Sequence, residues 1–496
     1  MNNIVDYIKE NTKDCSDVFF RDILIEEEKF NLIFSEVMTD SNTISNFVIR
    51  SLTEIVVKSK EKEEIKEEAD LTLREKIENK LTNQEKINIE GTIAINKIKK
   101  IDIETENVFK YIFSGFVIII YHNDVYCVET RANLYRSISE PVNEISINGA
   151  KDSFVESIMR NVGLLRNRIK TEKLVFTEME IGRKTSTKVG LMYVSDIARK
   201  ELVDYIQDKL NKIDIDGILD SNYIEELIIE PNDSDFPTVI SSQRPDIASY
   251  YLLQGKIVIL VDNSPFVLIV PAFFGDFINN VDDLYQKASN VTLTKIMRYI
   301  ALIISIITPA MYISLMTFDQ ESIPTILLRS FAIQREGVPF PTFFEAIMMI
   351  TAFEILRESD MRSRNLAGNT LSIVGALILG DAAVNAGIVS PIMIIVIAIT
   401  TISGLMFSDI NMLNALRKWR FIYLILASIF SLPGIGIATT FMIVSMASTS
   451  TFTKSLTYPV APFNLLEVKK NLFSRSSINK NKSRQEILTD NLTKSR

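Results

Sequence analysis

The stretch Ile296–Phe318 has the sequence IMRYIALIISIITPAMYISLMTF, and it opens an almost continuously apolar region that extends to about Met446. A helix needs about 20 apolar residues to cross a hydrocarbon layer of roughly 30 Å. Pro309 would kink this helix, and a membrane tolerates such a kink. The sequence therefore predicts a helical membrane domain over residues 295–450.

Further apolar segments lie within this region. They are Leu371–Ser390, Pro391–Phe407 and Phe421–Met446. Pro433, followed by Gly434, interrupts the last segment, which indicates either a bent helix or a re-entrant pair. Basic residues cluster at 357–364, at 417–420 and in the tail 451–496, and the positive-inside rule places all three on the cytoplasmic side. With both chain ends cytoplasmic, the number of crossings is even, and we expect about four.

Composition excludes several classes of function. The chain has 496 residues and a net charge of −8, so it lacks the basic character of a nucleic-acid binder. Cys15 and Cys127 are far apart, which suits a reducing compartment and argues against a disulfide scaffold. The single histidine, His122, leaves no His-based metal site or catalytic triad. We expect no metal and no cofactor, and no cleavable signal peptide in Met1–Asp14.

The first part of the chain is expected to be soluble and cytoplasmic. Residues 1–90 are assigned to a helical, charged region. Within it, residues 1–52 mix apolar periodicity with polar positions, which indicates small α/β or helical structure. Thr53–Ile87 is dense in Lys and Glu at spacings that support a solvated helix. This helix could bind a partner, although charge runs more commonly face water as linkers.

Two hairpin patterns follow. Phe113–Val128 and Leu253–Val270 each contain a Gly, a run of strand-forming residues, a polar turn and a second such run. Their similarity favours an internal duplication, with α/β subdomains at 91–150 and 151–294, although any two buried hairpins look alike. The fold class is therefore an α/β soluble region with two related subdomains, followed by an α-helical transmembrane bundle.

Three polar residues stand out in the soluble part. Arg244 and Asp246 lie in one polar loop, where they could pair with each other or with neighbouring backbone, and Asp262 lies in the turn of the second hairpin. Nothing there combines a nucleophile, a base and an orienting group. We therefore expect a protein that is not an enzyme.

The segment Phe340–Ser359 is apolar but carries four charged residues. These are Glu345, Glu354, Arg357 and Glu358. Glu345 and Glu354 are nine residues apart, so they project from opposite sides of a helix. An interfacial helix, or one packed inside a bundle, explains this pattern better than a span that faces lipid.

A predicted helix over residues 371–387 carries two stripes. The helix-packing stripe consists of Ser372, Ala376, Gly380, Ala383 and Gly387, small residues that permit close helix contact. The candidate pore-lining stripe consists of Val374, Leu377, Asp381 and Asn385. An ionised Asp near the middle of a membrane costs roughly 2.5–3.5 kcal/mol, so it normally faces a cavity or a partner. Copies of this helix could line a water-filled path with an apolar gate, or the helix could pack in a bundle with Asp381 hydrated near the interface.

Motifs spread from about Phe113 to Pro462 resemble those of one family. They include Asp152–Glu156, Arg166–Ile169, Arg244–Asp246, Val261–Pro265, Val338–Pro341 and Ser372–Ala376. In order and spacing the chain resembles the A subunit of the GerA-type spore germination receptors. One family glycine, before Ser264, is replaced by Asn263, which a tight turn tolerates.

The resemblance implies a multi-pass protein of the spore inner membrane that works with a transporter-like B subunit and a lipoprotein C subunit. It places recognition of the germinant largely on the B subunit. It also implies that A subunits self-associate into a homo-oligomeric, ion-conducting channel, which favours the pore interpretation of Asp381. A non-conducting scaffold is the main alternative. A solute transporter is less favoured, because the membrane region shows no internal repeat.

Overall fold

The computed structural model describes residues 2–25, 28–54, 56–57, 98–101, 107–122, 124–132, 144, 149–230, 235–362, 380–407, 409–452, 454–472 and 488–489. The chain divides into two compact units. The first unit contains Met1–Ile228, Ser241–Val270 and Lys482–Arg496, and the second contains Ile229–Ile240 and Pro271–Asn481.

The first half of the first unit is built around a five-stranded sheet with the order β1-β2-β4-β5-β3. Its strands are β1 (Val18–Ile25), β2 (Glu28–Ser35), β3 (Ile98–Ile101), β4 (Phe116–Tyr121) and β5 (Asp124–Glu129). Its helices are α1 (Asn2–Asn11), α2 (Ser41–Thr43), which continues as a π-helical segment over Ile44–Ile49, and α3 (Val108–Ile112).

The second half repeats this arrangement around another five-stranded sheet, with the order β6-β7-β9-β10-β8. Its strands are β6 (Leu174–Ile181), β7 (Thr187–Val194), β8 (Ile240–Ser242), β9 (Ile257–Val261) and β10 (Val267–Val270). Its helices are α4 (Ile158–Arg168), α5 (Lys200–Asn211), α6 (Ser221–Ile228) and α7 (Pro245–Leu252).

The two sheets confirm the prediction of two related subdomains. Each has the same strand order when numbered along its own half of the chain. Both predicted hairpins are present as antiparallel pairs, β4 with β5 and β9 with β10. At the turn of the second hairpin, Asn263 has a φ of 66°, the left-handed region that Asn adopts more readily than most residues.

The sequence-based boundary at residue 90 differs from the structure. Strands β1 and β2 lie within residues 1–90, and β2 pairs with β4, so the first subdomain begins at the N-terminal helix and not at residue 91. The prediction missed β1 because Arg21 and Asp22 interrupt its apolar pattern. An edge strand tolerates such residues, since one of its sides has no partner strand. The charged stretch 58–97 lies outside the described residues.

Both faces of the first sheet are buried. Val117 and Ile119 pack on one face with the helical segment at Ile44–Ile49, while Ile118 and Ile120 pack on the other with α1 and α3. Side chains alternate along a strand, so a continuous run of apolar residues supplies both cores.

The two cysteines belong to this core. Cys15 and Cys127 are buried, with 6% and 1% of their surface exposed. Burial raises the pKa of the Cys15 thiol, and the neighbouring Arg166 offsets this only in part. The folded state therefore favours the protonated thiol of Cys15. The stability that this preference gives is fully present below the unfolded pKa of about 8.5. It is lost as the pH rises through the folded pKa.

We therefore expect iodoacetamide at pH 8 to label Cys15 more than about tenfold more slowly in the folded chain than in urea, because alkylation needs an accessible thiolate. Peptide mass spectrometry measures the rate at each cysteine, and Cys127 serves as an internal control for burial. Labelling of Cys15 at the same rate with and without urea would contradict this expectation.

The second unit is mainly helical over the residues that the structure describes. Its longer helices are α9 (Ala288–Thr317), α10 (Thr325–Arg335), α11 (Thr342–Arg362), α12 (Pro391–Gly404) and α13 (Ile410–Ser448). The shorter elements are α8 (Phe274–Ile278), 3-10 segments at Val281–Leu284 and Gln320–Ser322, strands β11 (Ser450–Thr451) and β12 (Lys454–Ser455), and helix α14 (Leu465–Leu472).

Helix α13 folds back on itself at Ser431, whose φ of 58° and ψ of −141° are not helical. The hydroxyl of Tyr423 donates to Oγ1 of Thr439 at 2.9 Å, whereas a straight helix would separate these residues by roughly 24 Å. At the return, a Cβ on Gly434 would lie 2.1 Å from the carbonyl oxygen of Leu426, so only glycine fits. The two halves of this segment therefore lie back to back, as the re-entrant alternative predicts, while their placement in a membrane stays a prediction.

The described helix Ala288–Thr317 is long and apolar enough to cross a membrane, and so is Ile410–Ser448 when its two halves, which meet at Ser431, are counted as one helix. Pro391–Gly404 is a shorter apolar helix. The N-terminal half of the predicted span Leu371–Ser390 lies outside the described residues. The expected count of about four crossings stays a prediction.

Candidate functional site

Two clusters of polar residues in the second unit are centred on helix α11. Glu345 lies near the start of this helix and Glu354 lies in its middle. Their separation of nine residues points them to opposite sides of the helix, and each carboxylate has its own set of partners.

The first cluster, here called the Glu345 anchor, joins three segments of chain. Glu345 is fully buried, and its Oε2 accepts hydrogen bonds from the backbone N–H of Ser390 at 3.0 Å and from the Ser390 hydroxyl at 2.9 Å. Its Oε1 accepts from Nη2 of Arg335 at 3.2 Å. Ser390 is also the N-cap of α12, where its hydroxyl accepts from the N–H of Met393. The carboxylate thus fixes the end of α10 and the start of α12 to α11.

Asp381 and Asn385 lie just before this anchor. Residues 380–385 are helical, and both side chains are exposed. Since they are four residues apart, they share one face of the helix. Among the candidate packing residues, Gly380 is buried and Ala383 packs against the apolar cluster that contains Ile392 and Met393. The structure thus separates an exposed polar face from a packed face of small residues.

Gly387 terminates this helix instead of extending its packing stripe. Its φ is 64°, its N–H bonds to the carbonyl of Val384, and the N–H of Ile388 bonds to the carbonyl of Ala383. These two bonds form a Schellman motif, in which glycine is favoured at the left-handed position. The remaining predicted residues of the two stripes lie outside the described residues. They are Ser372, Val374, Ala376 and Leu377.

The second cluster, here called the Glu354 cluster, brings three arginines to one carboxylate. Nη2 of Arg417 lies 2.8 Å from Oε2 of Glu354, Nε of Arg357 lies 3.5 Å from the same oxygen, and Nη1 of Arg420 lies 3.6 Å from Oε1. Arg420 also donates from Nε to the carbonyl of Ser305 at 2.9 Å. A cavity of about 20 Å³ lies among these side chains. Glu358, the fourth charged residue predicted on this helix, is exposed.

In the first unit, Arg244 pairs both with Asp246 and with backbone carbonyls, so both alternatives that the sequence left open are observed. Nε and Nη2 of Arg244 donate to the two carboxylate oxygens of Asp246 at 3.1 and 2.8 Å. The guanidinium, which is fully buried, also donates to the carbonyls of Glu144 and Ala150. The pair therefore connects the start of α7 to the backbone at Glu144 and Ala150.

Asp262 is placed where it caps a distant helix. Its Oδ1 accepts from the N–H of Ile158, the first residue of α4, at 3.0 Å. A carboxylate at this position satisfies an otherwise unpaired helix N–H and interacts favourably with the helix dipole. The three soluble-domain residues thus have structural partners. Across the described ranges, no group of His, Cys, Asp or Glu residues could hold a metal ion.

Sequence reasoning missed four of the five partners in these clusters, all except Arg357. Arg335 and Ser390 were not singled out, and Arg417 and Arg420 were used only to orient the membrane domain. A buried acidic residue in an apolar helix was the available signal, since such a group needs a partner, but the partners are 10 to 66 residues away in the sequence.

Comparison with known proteins identifies the family. The family model described as Bacillus/Clostridium GerA spore germination protein matches residues 6–487. The chain belongs to the GerA spore germination protein family. One relative, spore germination protein KA of Bacillus subtilis (strain 168), is 35% identical over 94% of this chain and 82% of its own length.

The chain is also similar to a membrane protein and to a domain of known structure. Uncharacterized membrane protein YfkQ of Bacillus subtilis (strain 168) is 34% identical over 77% of this chain and 74% of its own length. The crystal structure of the N-terminal domain of the A subunit of the Bacillus megaterium spore germinant receptor GerK3 is similar over 54% of this chain and 94% of that chain, at 30% identity and a TM-score of 0.39.

Proposed function

We propose that this GerA-family chain is the A subunit of a spore germinant receptor in the spore inner membrane, and that its copies assemble around an ion-conducting pathway that opens when a nutrient germinant is sensed. The observation that carries the proposal is the pair Asp381 and Asn385, exposed on one face of a short helix whose other face is packed. The proposed function is signalling and conduction, and it requires neither catalysis nor a cofactor.

An apolar domain offers few places for a carboxylate. An ionised Asp is costly against lipid, so it faces water or a partner. The small residues Gly380 and Ala383 allow close packing of the opposite face. Copies of the helix arranged in a ring would place the Asp381 carboxylates around water, and a ring of acidic side chains favours cations.

The family relationship supports the choice of partners. We propose a transporter-like B subunit and a lipoprotein C subunit, with the two ends of this chain on the cytoplasmic side. Lipid contacts the apolar helices directly, and no nucleic acid is involved. The alternative of a non-conducting scaffold keeps the same partners but assigns Asp381 no role in conduction, while a solute transporter would need an internal repeat.

The first test measures assembly and ion flux. The full chain, reconstituted with its B and C subunits in liposomes, is challenged with mixtures of amino acids, sugars and nucleosides while potassium efflux is recorded. We expect Asp381→Asn to reduce cation efflux on the order of tenfold, which corresponds to about 1.4 kcal/mol, because the ring loses its charge and keeps its size.

Glu321→Gln provides the control, since Glu321 is an exposed carboxylate elsewhere in the same unit. A closed ring of chains in detergent, detected by mass photometry, is the expected assembly. Germinant-dependent signalling without any efflux, or efflux that Asp381→Asn and Glu321→Gln alter equally, would favour the scaffold and reject the pore.

A further inference from the structure

The Glu354 cluster carries more positive charge than its carboxylates balance. Three guanidinium groups, those of Arg357, Arg417 and Arg420, surround the carboxylate of Glu354, and Glu358 supplies one further negative charge beside Arg357. Lys418 is paired with Asp235 outside the cluster, which leaves three cations against two anions. A surplus of this kind in an apolar domain is costly unless an anion offsets it.

The cluster also has hydrogen-bond donors to spare. Each guanidinium carries five N–H donors, and Nε of Arg357 is buried and donates no hydrogen bond to any described residue. Arg357 and Arg417 keep 19% and 27% of their side-chain surface exposed, whereas Arg420 keeps 7%. Two of the three arginines can therefore be reached from outside, while Arg420, which also lines the cavity, is buried.

The geometry suits an oxyanion. Guanidinium groups present planar forks that bind phosphate oxygens two at a time, and here three forks converge on one small cavity. Gly404 lines the same cavity, and a Cβ at that position would be in ordinary contact with Nη2 of Arg420, at 3.6 Å. A phosphate oxygen would bind beside Glu354 and accept hydrogen bonds from the arginine N–H groups that do not donate to this carboxylate.

We propose that the Glu354 cluster binds a phosphate group, supplied either by the headgroup of an anionic lipid or by inorganic phosphate. The positive-inside tendency of the basic residues Arg357, Arg417 and Arg420 predicts that the cluster lies near the cytoplasmic headgroups, where both sources are present. The proposal is independent of the pore, since it uses neither Asp381 nor the Glu345 anchor.

Trp419, the only tryptophan of the chain, provides the readout. It lies between Lys418 and Arg420, is 7% exposed and stacks on Phe236. The full chain is placed in nanodiscs of phosphatidylcholine, and its fluorescence is recorded during titration with inorganic phosphate, with chloride at equal ionic strength as the comparison. A second series replaces phosphatidylcholine stepwise by phosphatidylglycerol.

We expect a saturable change in Trp419 fluorescence in at least one series. Arg417→Gln should weaken the apparent affinity about tenfold, because it removes charge-assisted hydrogen bonds to the anion. Lys418→Gln, which removes one positive charge from the neighbouring position, should change it less than about twofold. Arg357→Gln replaces Arg417→Gln if that variant shows an altered fluorescence spectrum before any titration.

The outcomes separate the sources of phosphate. Saturation with phosphatidylglycerol alone identifies a lipid site, and saturation with inorganic phosphate alone identifies a site for the free ion. The proposal is overturned if neither series saturates, or if Arg417→Gln and Lys418→Gln weaken the response equally, because the effect would then be general surface charge.

Discussion

Replacement of Arg166 by Gln is expected to lower the free energy of unfolding of the first unit by about 3–5 kcal/mol, the cost of breaking a buried ion pair by removing one partner. Arg166 and Asp17 both have fully buried side chains. Nη2 of Arg166 donates to Oδ1 of Asp17 at 2.7 Å, and Nε donates to Oδ2 at 3.1 Å. Loss of the guanidinium leaves a buried carboxylate with a single remaining side-chain donor, Ser35.

The same arginine makes contacts that a Gln cannot replace. Its Nη1 donates to the carbonyl of Leu174, at the start of β6, at 2.5 Å, and its guanidinium lies 4.1 Å from the ring centroid of Phe113. Arg166 therefore links α4 to the segment before β1, to the end of α3 and to the second sheet. The contacts it makes span both halves of the duplicated unit.

Thermal unfolding of the full chain, followed by circular dichroism and by cysteine labelling, measures the effect. A loss of 3–5 kcal/mol corresponds to a decrease in the melting temperature on the order of 10 °C for a unit of this size. Arg168→Gln is the matched control on the same helix. Arg168 pairs with Asp152 at 2.6 Å but keeps 26% of its surface exposed, and a pair of this kind contributes at most about 1 kcal/mol.

A double replacement distinguishes the charge effect from loss of packing. In the variant that combines Asp17→Asn with Arg166→Met, no buried charge is left unpaired, so part of the lost stability should return. Equal destabilisation by Arg166→Gln and Arg168→Gln would show that the buried pair has no special role, and a double variant as unstable as the sum of its parts would assign the loss to packing.

These examples show which parts of the fold the sequence predicts. The hairpins at Phe113–Val128 and Leu253–Val270 were predictable because strand-forming runs on both sides of a polar turn are a local signal. Strand β1 was not, because it is an edge strand whose pattern is interrupted by charge. The pairing of Asp17 with Arg166 joins residues 149 positions apart, and no periodicity encodes a contact of that length.

In the candidate site, too, the sequence predicts the local relations between residues but not the contacts between distant segments. Sequence spacing correctly places Asp381 and Asn385 on one helix face, because the relation is local. It cannot show that Gly387 leaves the helix, since a glycine fits both a packing stripe and a left-handed turn. The partners of Glu345 could not be predicted either, because Ser390 approaches it only through the packing of α11 against α12.

The second large expected effect is the loss of stability when Glu345 is replaced. We expect Glu345→Ala to destabilise the contacts between α10, α11 and α12 by about 2–3 kcal/mol, because the buried N–H of Ser390 loses its acceptor. Ser390→Ala should cost only about 1 kcal/mol, the usual cost of losing an N-cap side chain, since Glu345 still accepts from the backbone. Glu345→Gln should lie between the two, because an amide oxygen can accept from Ser390 but carries no charge for Arg335.

Hydrogen exchange of the full chain in nanodiscs, read by mass spectrometry, resolves this order locally. Faster exchange is expected at 386–392 in Glu345→Ala, and to a smaller extent in Ser390→Ala. Because the Schellman turn at Gly387 leads directly to Ser390, the helical residues 380–385 that carry Asp381 should also lose protection. Arg417→Gln, which changes the other cluster on α11, should leave these peptides unchanged. If Glu345→Ala altered exchange no more than Ser390→Ala, the carboxylate would not be the anchor, and the position of Asp381 would depend on apolar packing alone.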